Sequence, residues 1–155
     1  MSNYTAPSYP VIIPAPKNVT YHHRAINTTA ISPCNLTIDI QTPSNFDKDS
    51  FAYVNHTIYW YLEKYIFINR MPCTNATPQA DHTQFNISIA TNSKLMPEDM
   101  LDTNESYTLT VDDLEVTLAA QQWSGVVRGL STLAQLVKST NESGIYNIGY
   151  VPLQV

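Results

Sequence analysis

The amino-acid sequence predicts an α+β fold, a single antiparallel or mixed sheet with two helices packed on one face. Three observations predict it. Four short segments alternate apolar and polar residues with a period of two: NLTIDI, FNISIA, SYTLTV and LEVTL. Two longer segments place apolar residues at helical spacing. Their order along the chain is strands, helix, strands, helix and a closing strand, rather than the strand–helix alternation of a parallel sheet.

The chain begins with Pro7, Pro10, Pro14 and Pro16, which favour extended backbone, so residues 1–17 read as a proline-rich arm and residues 18–155 as the domain. NVTYHH (18–23) is rich in strand formers, and NLTIDI (35–40) puts Leu36, Ile38 and Ile40 on one face. In SFAYVNHTIYWYLEKYIF, Phe51, Val54, Ile58, Tyr61, Leu62 and Tyr65 fall at helical spacing behind the capping residues Asp47, Asp49 and Ser50. This helix is expected to end near Arg70, before Pro72. Its tyrosines are read as core rather than as a sugar-stacking platform, because they share the spacing of the aliphatic stripe.

Phe85, Ile87 and Ile89 alternate in the next strand, Tyr107, Leu109 and Val111 in the one after, and Leu114, Val116 and Leu118 in a third. Asp112-Asp113 reads as a two-residue hairpin turn between the last two. Trp123, Val126, Val127, Leu130, Leu133, Ala134 and Val137 then recur at offsets of three, four and seven, the pattern of a helix buried along one side. IYNIGYVPLQV, after the Asn141 to Gly144 turn, is the closing strand.

A length of 155 residues suits one domain. Only 14% of the residues are charged, so polarity comes from Asn, Thr and Ser, and the formal net charge is −5 without a Lys/Arg run. Nucleic acid and anionic membrane surfaces are thereby set aside as partners, and no segment reaches membrane-spanning length.

Nine of thirteen asparagines open an Asn-x-Ser/Thr sequon: Asn3, Asn18, Asn27, Asn35, Asn55, Asn75, Asn86, Asn104 and Asn141. With 29 Ser and Thr among 155 residues, random placement gives roughly two or three. The excess points to glycosylation in the secretory pathway, lysosomal or extracellular. Cys34 and Cys73 sit beside turn-forming residues in no metal-type spacing; a disulfide is their simplest use, and two unpaired thiols the alternative. The first residues form no signal peptide, so the chain reads as a secretory protein without its secretory address.

Catalytic motifs do not emerge. HExxH, GxSxG, GxGxxG and a P-loop are all missing, and no cofactor is called for. His22 and His23 are adjacent in a predicted strand and point to opposite faces, while His56 and His82 lie on a helix flank and in a loop, and they read as surface or hydrogen-bonded histidines. Asp112 and Asp113 are the tightest acidic pair, but in a hairpin turn they serve the turn and face water.

One stretch is more specific. WSGVVRGLSTLAQLV, with the preceding ESYTLTV and LEVTLAA, resembles the end of the N-terminal domain of family 20 glycoside hydrolases, the eukaryotic-type β-N-acetylhexosaminidases. There the helix has the form W-G-A-x-R-G-L-x-T-x-x-Q-L-V. Trp123, Gly125, Arg128, Gly129, Leu130, Thr132, Gln135, Leu136 and Val137 match it; Ser124 is an extra residue, and Leu133 stands where an aromatic is common. YPVIIPAPKNVTY is similar to the family's opening, and FAYVNHTIYWYLEKYIF to its first helix.

The resemblance implies a zincin-like shape without zinc, and a disulfide between Cys34 and Cys73. It implies a family 20 catalytic barrel as partner, in cis or in trans, and glycoconjugates as substrates of the full-length enzyme. The family's barrel, of about 250 residues, carries a consecutive Asp-Glu pair. The Asp positions the substrate's acetamido group as nucleophile and the Glu is the general acid. This chain has no Asp-Glu dipeptide, so it is expected to carry no active site. Its expected role is to brace the barrel, with a stand-alone glycan- or protein-binding module, or a non-catalytic subunit, as alternatives. Trp123, Gly125, Arg128 and Gly129 are the packing and docking residues. Gly125 and Gly129, one turn apart, leave one side of the helix without bulk for a close backbone approach; for a docking domain, that side is expected to be an exposed apolar patch.

Overall fold

The computed structural model describes residues 18, 20–21, 27–68, 72–74, 81, 83–90, 104–112, 114–140, 144–151 and 153–154. The larger sheet has six strands: β1 (Thr20–Tyr21), β3 (Leu36–Gln41), β4 (Thr83–Ile89), β5 (Tyr107–Asp112), β6 (Glu115–Ala120) and β9 (Leu153–Gln154). Their order is β1-β9-β5-β6-β4-β3, with β3, β4 and β6 mutually parallel and the other pairings antiparallel. The sheet is therefore mixed. The return from β3 to β4 passes through the first helix, and such a crossover delivers the next strand in parallel.

Three further strands were not expected as a separate layer. β2 (Asn27–Ile31), β8 (Tyr146–Val151) and β7 (Val137–Ser139) form a small antiparallel sheet in the order β2-β8-β7. The closing segment thus serves both sheets, β8 in the small one and β9 in the large one, and Pro152, which lacks the amide a ladder needs, separates them in sequence. Of the expected strand 18–23, Thr20–Tyr21 is strand among the described residues; Val19, His22 and His23 lie outside them.

Helix α1 (Lys48–Tyr61) starts at Asp47, whose carboxylate accepts the Ser50 amide at 2.9 Å. It stops short of the expected Arg70. A π-helical turn, Leu62–Ile66, follows, and the Phe67 amide donates to the Leu62 carbonyl at 2.7 Å. A four-residue step drifts by about 40° on an α-helix of 3.6 residues per turn, so Val54, Ile58 and Leu62 rotate progressively. The wider turn redirects the chain and brings Ile66 and Phe67 into the core with them. Two expected core residues are outside it: Phe51 is 38% and Tyr65 47% exposed.

The hairpin also differs by one position. Asp112 pairs with Glu115, so the turn is at 113–114 rather than at Asp112-Asp113. Either register puts Leu109 and Val111 on the same face as Val116 and Leu118, so the apolar pattern does not choose between them. Helix α2 (Trp123–Leu136) then lies across β4, β5 and β6 and ends where Val137 turns extended to begin β7. Leu109, Val111, Val116, Leu118, Phe85 and Ile87 meet Val54, Ile58, Val126, Leu130 and Leu133 in one core. Hydroxyl pairs tie α2 to its neighbours: Thr132 to Tyr107 of β5 at 2.6 Å and Ser131 to Tyr61 of α1 at 2.8 Å.

The Ser50 backbone amide and hydroxyl hold the Asp47 carboxyl below the usual carboxylate range. A depressed folded-state pKa gives stability that is present above the unfolded-state value and is lost as pH falls through the folded one. Acid titration of the urea midpoint should therefore show a component below the ordinary Asp range that Asp47→Asn removes. Identical acid profiles for the two proteins would show that the cap does not matter.

Candidate functional site

Helix α2 carries the motif residues, and its two interior glycines face inward. A Cβ on Gly125 would collide with the Ser106 carbonyl oxygen and come within 2.9 Å of the Ala120 Cβ; one on Gly129 would collide with the Leu118 side chain. Both glycines are buried. The glycine side is thus the contact of α2 with β5 and β6, not an exposed apolar patch. The close approach is real, but the approaching partner is the domain's own sheet.

Arg128 flanks the same contact. Its Nε and one terminal nitrogen donate to Glu105 Oε2 at 3.0 and 2.7 Å, fixing α2 to the segment that leads into β5. Ser124 Oγ donates to the Asn104 carbonyl at 3.0 Å, and the Asn104 amide donates to Gln122 Oε1 at 2.9 Å, so three side chains of this region anchor the same loop. Trp123 is half-buried and meets Tyr53 of α1 edge-on, with ring centroids 6.3 Å apart. Glu105 was not singled out in the sequence, where nothing separates it from other surface acids. Because the Arg128–Glu105 pair is 41% and 50% exposed, Arg128→Ala should cost at most about 1 kcal/mol, measured by urea unfolding. A loss several times larger would mean that the arginine does more than hold this loop.

Cys34 and Cys73 are joined in a disulfide, with Cα atoms 5.5 Å apart. Of the sequon asparagines, Asn18 and Asn104 are exposed, while Asn35, Asn55 and Asn86 are half-buried. Asn86 donates to Glu115 at 2.7 Å. Asn27 is in β2, and Asn3, Asn75 and Asn141 lie outside the described residues.

Groups able to do chemistry are dispersed. Among the described residues, no three His, Cys, Asp or Glu side chains are grouped as for a metal ion. His56 is exposed on α1, and His82 and Asp113 are outside the described residues. Asp112 and Glu115 are exposed at the end of the hairpin. An open depression of about 500 Å³ lies beside the ends of β3, β4, β5 and β6, lined by Gln41, Ser88, Ser106, Thr108, Ala119 and Gln121 among others. Among the described residues its lining holds no carboxylate, imidazole, amine or thiol, so its serine, threonine and tyrosine hydroxyls have no general base beside them.

Residues 12–136 match the family model described as beta-acetyl hexosaminidase like. The chain belongs to this glycoside hydrolase family 20 N-terminal domain family. The fold agrees. A chitobiase from Flavobacterium johnsoniae superposes with a TM-score of 0.55 at 23% identity, over 94% of this chain and 20% of that one. An exo β-N-acetylglucosaminidase from Vibrio harveyi, solved with N-acetylglucosamine, superposes with a TM-score of 0.51 at 12% identity, over 94% of this chain and 18% of that one. This hexosaminidase-like domain therefore spans about a fifth of the length of each enzyme it resembles. No curated protein matches it. No helix among its described residues is long and apolar enough to cross a membrane.

Proposed function

We propose that this chain is the N-terminal accessory domain of a β-N-acetylhexosaminidase and acts by bracing the catalytic barrel, with no active site of its own. The reaction of the whole enzyme is then removal of terminal N-acetylhexosamine from glycoconjugates. One observation carries this reading: the family match runs over residues 12–136, while the enzymes of like fold are about five times longer. The lack of an Asp-Glu dipeptide agrees with it. In this account residues 1–17 are an arm and 18–155 the domain. The Cys34–Cys73 bridge and the nine sequons fit an oxidising, glycosylating route, to the lysosome or outside the cell.

Full-length transcripts provide the test. The expected result is an in-frame (β/α)₈ barrel with a consecutive Asp-Glu pair downstream of Val155, or a separately encoded barrel that co-purifies with this chain. A stop codon after Val155 with no barrel bound in trans would favour a stand-alone binding module instead.

A further inference from the structure

The loop before β5 brings a sequon to the edge of the open depression. Asn104-Glu105-Ser106 is an Asn-x-Ser sequence, and all three residues are exposed. The Asn104 carboxamide oxygen accepts the Ser106 amide at 2.9 Å, a turn made by two residues of the sequon itself. Ser106 lines the depression, so the carboxamide of Asn104 stands at its rim. The backbone of Asn104 is held there from both sides, its amide donating to Gln122 and its carbonyl accepting from Ser124.

Two other described sequons have a different setting. Asn86 is half-buried in the middle of β4, and its Nδ2 donates to Glu115 at 2.7 Å. Asn55 is half-buried on α1, and the Thr57 hydroxyl of its sequon donates to the Tyr53 carbonyl at 2.8 Å. At Asn104 the nitrogen that would take a sugar is not the atom that holds the turn. A bond formed at Nδ2 leaves Oδ1 and the Ser106 amide as they are.

The depression itself suits a sugar. Gln41, Ser88, Thr108 and Gln121 carry neutral hydrogen-bonding groups, Pro43 and Ala119 add apolar area, and the described lining has no charged side chain. A pyranose presents the same mixture, with hydroxyl and acetamido groups around its edge and C–H groups on its faces. The volume of about 500 Å³ is within the roughly 300–1,000 Å³ of small-molecule sites.

We propose that Asn104 carries an N-linked glycan whose first N-acetylglucosamine residues lie in this depression. This rests on the secretory route described above. The donor is a lipid-diphosphate-linked oligosaccharide. Nδ2 forms a bond to the anomeric carbon, the bond from that carbon to the diphosphate oxygen breaks, the diphosphate leaves with the electron pair, and Nδ2 loses one proton. The turn that presents Asn104 needs no distant partner, so it is open to the chain before folding. After folding, the sugars cover the ends of β3, β4, β5 and β6.

Glycopeptide mass spectrometry and radical footprinting of the protein secreted from eukaryotic cells test both parts. Most copies should carry a glycan at Asn104. Pro43 and Tyr107 should oxidise severalfold more slowly than in Asn104→Gln, with Trp60 on α1 unchanged. Amidase removal of the glycan from the folded wild type should raise the Pro43 and Tyr107 rates in the same way, without any substitution. Glycans at other sequons with Asn104 bare would overturn the site and leave the secretory route standing. An occupied Asn104 with Pro43 and Tyr107 oxidised equally before and after removal would overturn the seat in the depression. Bare asparagines at all nine sequons would overturn the site and the route together.

Discussion

Gly125→Ala should destabilise the domain by about 2 kcal/mol, within the range for overpacking a filled interior. At an open helix position the same substitution stabilises by up to about 1 kcal/mol, because alanine is the better helix former. The sign is set by the neighbours. The new methyl meets the Ser106 carbonyl, a backbone group at the entrance to β5, and the Ala120 Cβ of β6. Neither can rotate aside. Gly129 provides the comparison: its obstacle is the end of the Leu118 side chain, which can change rotamer, so Gly129→Ala should cost less. Urea unfolding of both variants gives the order, and a stabilised Gly125→Ala would show that α2 does not seat on β5 and β6 as described.

Opening the disulfide is the second large effect. Cys34 and Cys73 are 39 residues apart and enclose α1 and the π turn. Freeing a loop of that length in the unfolded chain costs up to about 4 kcal/mol by the chain-entropy estimate, and often less. The double variant Cys34→Ser, Cys73→Ser should lose about 2 to 4 kcal/mol in urea. Reductant should lower the wild-type midpoint to that of the variant and leave the variant unchanged. A difference within error between oxidised and reduced protein would mean that the bridge constrains nothing.

The sequence shows the helices and the central strands because their burial is periodic, and Leu109, Val111, Val116 and Leu118 alternate as a half-buried hairpin must. It does not show the hairpin turn, since moving the turn by one position shifts the cross-strand partners by two and leaves those side chains on the same face. The small sheet is hidden for another reason. β2 reads NTTAI, largely polar, and Val137 fits the helical spacing of α2 although it starts β7. Tertiary pairing, rather than local pattern, makes them strands.

Spacing also fails to say which way a helix face points. Tyr65 shares the aliphatic period but lies outside, because it sits within the π turn, where the α-helical register no longer holds. The glycines of α2 mark a close approach, and only the folded arrangement identifies the partner as the domain's own sheet. Arg128 is legible as a structural residue, while its partner Glu105 becomes visible only when the loop before β5 is folded against α2.

On the function proposed above, this hexosaminidase-like domain contains no catalytic machinery and acts through another domain. The most direct measurement is incubation of the purified chain with a chromogenic N-acetylglucosaminide, after removal of contaminating hexosaminidase. No release of chromophore above the buffer rate is expected. Turnover that co-purifies with this chain alone would contradict it.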